Sequence, residues 1–79
     1  MWEGEGLKRK LRNRLKVARA EKSLSQERLA ALAGVTRQTI SSIENEQYVP
    51  STLLALTLAM WLGKSVEELF SLEEESEEE

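Results

Sequence analysis

The run from Gln26 to Asn45, QERLAALAGVTRQTISSIEN, admits few folded arrangements. Leu29, Ala30 and Ala33 put small or apolar groups on one face of a first short helix, and Val35, Ile40 and Ile43 give a second its buried stripe. Gly34 falls between them, where the chain must turn sharply and a backbone φ above zero is expected. Ala30 constrains the chain as much as Gly34 does. A bulkier side chain there would push the helices apart and spoil a near-perpendicular crossing.

Two helices set in this way make a helix-turn-helix, and that motif points to nucleic acid. The net charge of −3 argues against such a partner until its distribution is read. All eleven Lys and Arg lie between Lys8 and Lys64 with four Glu among them, a net of +7, whereas eight Glu and no base follow from Glu67 onward. A basic body with an acidic end suits attraction to phosphate, which the whole-chain value hides.

Seventy-nine residues suffice for one domain with one modest core. The chain holds no Cys and no His, which removes the commonest nucleophile, general base and transition-metal ligands and fits a cytoplasmic setting. No apolar run reaches membrane-spanning length, and MWEGEG lacks the charged-then-apolar pattern of a signal peptide. No nucleophile–base pair or glycine-rich phosphate loop is visible, so neither an enzyme nor a cofactor is expected. The terminal glutamates lack the turn geometry that would make them a metal site.

Along the chain, residues 7–14 (LKRKLRNR) are open to two readings: Leu7, Leu11 and Leu15 have helical spacing, and a basic edge strand fits as well. A helix is expected over about Asn13–Lys22, with Leu15, Val17, Ala18 and Leu24 available to the core. Ser25 caps a helix over 26–33, Thr36 one over 37–45, and Ser51 one over 52–62 that Gly63 closes. Ser65 and Glu68 form a capping box for a short helix over 66–70. These elements give a flexible N-terminus at 1–6, a domain over 7–72 and an acidic disordered tail at 73–79, where like charges one turn apart oppose a helix.

The helix from Leu53 to Leu62 (LLALTLAMWL) is apolar almost all round. Leu54, Ala55, Leu58 and Leu62 share a side assigned to the core, while Leu53, Thr57, Met60 and Trp61 cluster on the other. Monomers avoid leaving such a face in water. Burial against another subunit, together with Leu69 and Phe70, is the expectation; covering by Trp2 and Leu7 folded back is the alternative.

The set LSQERLAALAGVTRQTISSIENEQYVPS, LLALTLAMWLG and SVEELF resembles the short single-domain Cro/CI-type helix-turn-helix regulators, the xenobiotic-response-element family, over about residues 14–70. The resemblance implies an all-α, five-helix phage-repressor-like domain that binds double-stranded DNA as a homodimer. In some short members the chain ends form a small β-ribbon, which here would pair Lys8–Arg12 with Ser71–Glu74. Thr57, Met60 and Trp61 stand where such proteins often carry charged or smaller residues, so the dimer geometry does not carry over in detail.

Within this class the second helix enters the major groove and its N-terminal side chains read base edges. Those are Arg37, suited to guanine O6 and N7, Gln38, suited to adenine N6 and N7, and then Ser42 and Ser41. Ser25, Gln26, Thr36, Thr39, Asn45 and Tyr48 are expected to hold phosphates, the helix N-termini offering free N–H groups. The family pattern also pairs Arg19 with Glu44, which would fix the reading helix on the scaffold. A rival reading is an antitoxin-like or adaptor module, in which a second protein partner takes the apolar helix face or the acidic end. Under either reading the tail is also placed to compete with DNA for the basic body.

Overall fold

The computed structural model describes residues 9–74. In chain order these form strand β1 (Arg9–Asn13), helices α1 (Leu15–Glu21), α2 (Gln26–Ala33), α3 (Arg37–Glu44), α4 (Thr52–Leu62) and α5 (Val66–Leu69), and strand β2 (Phe70–Glu74). The expected flexible N-terminus, and all of the expected tail beyond Glu74, lie outside the described residues.

Short-range chemistry sets the helix ends. The side chains of Ser25, Thr36, Ser51 and Ser65 each accept the N–H three residues on, satisfying a donor that has no partner inside the helix. Gly34 and Gly63 close α2 and α4 with φ of 78° and 67°, the left-handed backbone that glycine adopts without a Cβ clash. Ser23 and Glu46 adopt the same region without being glycine, at φ 57° and 62°.

The capping box of α5 is complete: Ser65 N–H donates to the Glu68 carboxylate at 2.7 Å, and Glu68 N–H donates to Ser65 Oγ at 3.0 Å. The Ser65 backbone N–H, chiefly, and the Lys64 charge beside it hold the Glu68 carboxyl below its ordinary value of 4.5. A depressed carboxyl stabilises the fold above its unfolded value, and that contribution is lost as pH falls through the lowered folded value. Between about pH 6 and about pH 3 the melting temperature of Glu68→Gln should therefore fall less than that of the parent; equal slopes would contradict the box.

The core gathers Leu15 and Ala18 of α1, Leu29 and Ala30 of α2, Ile40 and Ile43 of α3, Leu54, Leu58, Ala59 and Leu62 of α4, and Leu69 with Phe70. Two expectations need correction here. Val17 is 51% exposed, because α1 turns only Leu15 and Ala18 inward. Leu69 and Phe70, expected on a subunit contact, are 1% and 9% exposed: α5 lays them on the chain's own core. Ala59, not assigned to the core, is buried there at 5%.

Residues 9–13 are a strand and not a helix. β1 and β2 pair antiparallel, with Arg9 across from Glu74, Lys10 from Glu73, Leu11 from Leu72, Arg12 from Ser71 and Asn13 from Phe70. The ribbon carries the chain through Glu73 and Glu74, two residues that the charge pattern gives to a disordered tail. Opposite charges across the strands offset the repulsion within them, and Arg12 reaches the Glu73 carboxylate. The fold is thus five helices with a two-stranded ribbon, and among the described residues no helix is long and apolar enough to cross a membrane.

Candidate nucleic-acid interface

Helix α3 begins where Thr36 leaves extended backbone and its Oγ1 accepts Thr39 N–H at 3.2 Å; the Thr39 hydroxyl lies 3.0 Å from the same oxygen. Ile40 and Ile43 point inward at 0% and 1% exposure. Arg37, Gln38, Ser41, Ser42 and Asn45 recur at one- and four-residue spacing on the opposite side. Arg37, Gln38 and Asn45 are exposed, whereas Ser41 and Ser42 are half-buried. The helix therefore offers one long cation and one amide near its N-terminus, over a floor of small hydroxyls. No side-chain hydrogen bond or ion pair among the described residues engages Arg37 or Gln38.

The two residues that open α2 beside this face differ. Ser25 is exposed and its Oγ accepts Arg28 N–H at 3.0 Å, so capping and a nearby anion are compatible. Gln26 is half-buried, and its amide nitrogen donates to Glu44 Oε1 at 2.9 Å. One of its two amide hydrogens is thereby committed to the scaffold. Tyr48 stands 47% exposed in the loop after α3, within the segment that leads to Pro50.

Arg19 and Glu44 meet with fork geometry. Arg19 Nε donates to Glu44 Oε2 at 2.7 Å and Nη2 to Oε1 at 3.2 Å, while Nη1 donates to the Leu24 carbonyl at 2.8 Å. Their side chains are 15% and 5% exposed, so the pair is largely out of water. With Gln26 added, the last residue of α3 is tied to α1 and to the start of α2 by a single carboxylate. The Gln26 contact was not foreseen, because residues eighteen positions apart meet only once the helices have crossed.

The outer face of α4 stays in water. Leu53, Met60 and Trp61 are 76%, 65% and 41% exposed, and Leu56, which the periodicity reading left unassigned, is 55% exposed. Leu53, Leu56 and Met60 follow the spacing of one helix stripe, a signal already present in the sequence. Thr57 is half-buried and its hydroxyl donates back to the Leu53 carbonyl at 2.8 Å, so it adds little polarity to the face. Beside the stripe, Leu11, Pro50, Ala55, Leu56, Val66 and Phe70 line an apolar hollow of about 260 Å³.

The helix-turn-helix family pattern matches residues 15–69, which takes in α1 to α5. The chain belongs to the Cro/CI-type helix-turn-helix family. It is 46% identical over 66 residues to an uncharacterized HTH-type transcriptional regulator of Bacillus subtilis, covering 84% of this chain and 100% of that one. A regulator of the same description from Methanocaldococcus jannaschii is 43% identical over 65 residues, covering 82% and 98%. Among solved structures, the restriction-modification controller protein C.AhdI of Aeromonas hydrophila superposes with a TM-score of 0.66 at 38% identity, over 70% of this chain and 80% of that one. A putative DNA-binding protein from Bacteroides fragilis gives 0.71 at 30% identity, over 77% and 98%. As a helix-turn-helix regulator, the chain holds α2 and α3 as its motif.

Proposed function

We propose that this regulator binds double-stranded DNA sequence-specifically as a homodimer, and represses from a pseudo-palindromic operator by excluding polymerase from it. The observation that carries the reading is the unengaged Arg37 and Gln38 at the N-terminal end of a helix whose C-terminal end is held by a partly buried ion pair. Arg37 and Gln38 read bases, with Ser41 and Ser42 as closer, smaller contacts, while Ser25, Gln26, Thr36, Thr39, Asn45 and Tyr48 hold phosphates. Leu53, Met60 and Trp61, joined by Leu56, are the surface a second copy would cover. The activity is binding, not catalysis, and the protein works in the cytoplasm, where its operator lies.

Selection from a random duplex pool at near-physiological salt tests the reading. The expected product is an inverted repeat whose half-sites lie about one turn, roughly 34 Å, apart. Enrichment of no sequence, with binding that vanishes as salt rises, would leave the apolar face of α4 as the functional surface and favour the partner-module reading.

The division of roles gives a sharper test. Arg37→Ala should cost about 1–3 kcal/mol at one base pair per half-site and flatten the preference there. Thr39→Ala, at a phosphate position, should weaken all duplexes alike. Identical base profiles for the two variants would refute the assignment.

A further inference from the structure

Asn13 ends β1, across the ribbon from Phe70, and its side chain joins two other elements. Its Oδ1 accepts Leu15 N–H at 3.0 Å, closing a turn at the start of α1. Its Nδ2 donates to the Ile43 carbonyl at 2.9 Å, in the last turn of α3. Carbonyls there have no partner inside their own helix, and Ile43 O receives a second donor, Glu46 N–H, also at 2.9 Å. Glu46 itself sits in left-handed backbone at φ 62°, and its carboxylate takes Arg12 Nε at 2.9 Å and Lys10 Nζ at 3.5 Å. Three side chains of β1, those of Lys10, Arg12 and Asn13, thus grip the end of α3 or the turn that leaves it.

We propose that Asn13 is a positioning residue for DNA recognition: the terminal ribbon, through Asn13 and the Arg12 contact to Glu46, sets the orientation of α3 in the groove. The inference rests on the reading of α3 as the base-contacting helix. Arg19 and Gln26 hold the last residue of α3 through its side chain, and Ile40 and Ile43 seat the helix on the core; a small roll of the helix is the movement left to restrain. The Asn13 amide holds the preceding residue's carbonyl from β1, a different element, and two holds at adjacent residues suppress the roll. Because Arg37 lies at the far end of an eight-residue helix, a small roll moves its guanidinium out of register with a base edge while leaving phosphate contacts serviceable.

Asn13→Asp separates this role from simple capping. It keeps an oxygen for Leu15 N–H and turns the donor at Ile43 O into a second acceptor at the same site. The duplex selected by the parent protein and a scrambled duplex are titrated with the parent, Asn13→Asp, Asn13→Ser, and Leu62→Val as a control that loosens the core at the end of α4. The expected result is that the selected-to-scrambled affinity ratio falls about tenfold in both Asn13 variants, and stays at the parent value in Leu62→Val despite a lower melting temperature. In the free Asn13 variants the amides of Glu46 and Gln47, bonded to Ile43 O and Ser42 O, should exchange with solvent faster than in the control. An unchanged ratio in the Asn13 variants, or an equal fall in Leu62→Val, overturns the proposal. If the parent itself prefers no sequence, the DNA reading fails instead; the exchange measurement then decides whether Asn13 holds α3 at all, and unchanged exchange overturns it.

Discussion

Replacing Glu44 with alanine is expected to cost about 3 kcal/mol of folding stability and to abolish operator binding at concentrations where the parent saturates. The carboxylate is 5% exposed and receives three donors, two from Arg19 and one from Gln26. Its loss leaves a guanidinium that is 15% exposed with the Leu24 carbonyl as its remaining described partner. Breaking such a pair costs more than the pair contributes, because the surviving charge stays buried without compensation. For a domain of this length, total stability is on the order of 0.05–0.15 kcal/mol per residue, so the loss would take a large part of it. The measurement is urea unfolding with DNA titration. A double replacement, Arg19→Met with Glu44→Leu, should recover most of the stability without recovering the selected-duplex preference, since packing is restored but the fork that orients α3 is not. A loss below about 1 kcal/mol for Glu44→Ala would place the pair with ordinary exposed ion pairs and remove it from the recognition machinery.

Met60→Glu should weaken self-association by at least about thirtyfold and operator binding with it, while leaving the melting temperature of the protomer close to the parent value. Met60 is 65% exposed and lies between Leu56 and Trp61 on the unpartnered side of α4, so a charge there costs little in one copy and is costly against an apolar partner surface. Two half-sites are held together by linkage, so an operator that needs both reading helices loses affinity once the copies separate. Sedimentation equilibrium reads the first effect and duplex titration the second. An unchanged solution mass would assign the α4 stripe to something other than a second copy.

Features governed by neighbours in sequence were legible. The bounds of α2 and α4 agree with expectation because Ser25, Ser51, Gly34 and Gly63 act on groups within four residues of themselves. The joining of Arg19 to Glu44 was available only through the family pattern, since nothing local brings residues twenty-five positions apart into contact. The ribbon was ambiguous for the same reason. Leu7, Leu11 and Leu15 satisfy a helical period, and the choice of strand depends on β2, whose pairing with Arg12 spans some sixty residues. Leu69 and Phe70 looked like surface because a four-residue helix carries too little periodicity to show which way it faces; closure of the ribbon turns them inward. Asn13 and Glu46 gave no signal of their own, as an Asn before a helix and a Glu after one are commonplace until the strand brings them to one carbonyl and one guanidinium.

The two strands come from opposite ends of the described chain, and this orders events during synthesis. A ribosome adds residues at roughly 5–20 per second, and whatever can fold early does so from the N-terminal side. Helices α2 and α3, with the glycine turn between them, are complete long before Phe70–Glu74 has been made. Until then β1 has no strand to pair with, and its hold on the end of α3 lacks the support of β2. On the proposed reading, the growing chain displays the helix pair before α3 is set, and would acquire selectivity for sequence only as the last strand closes the ribbon.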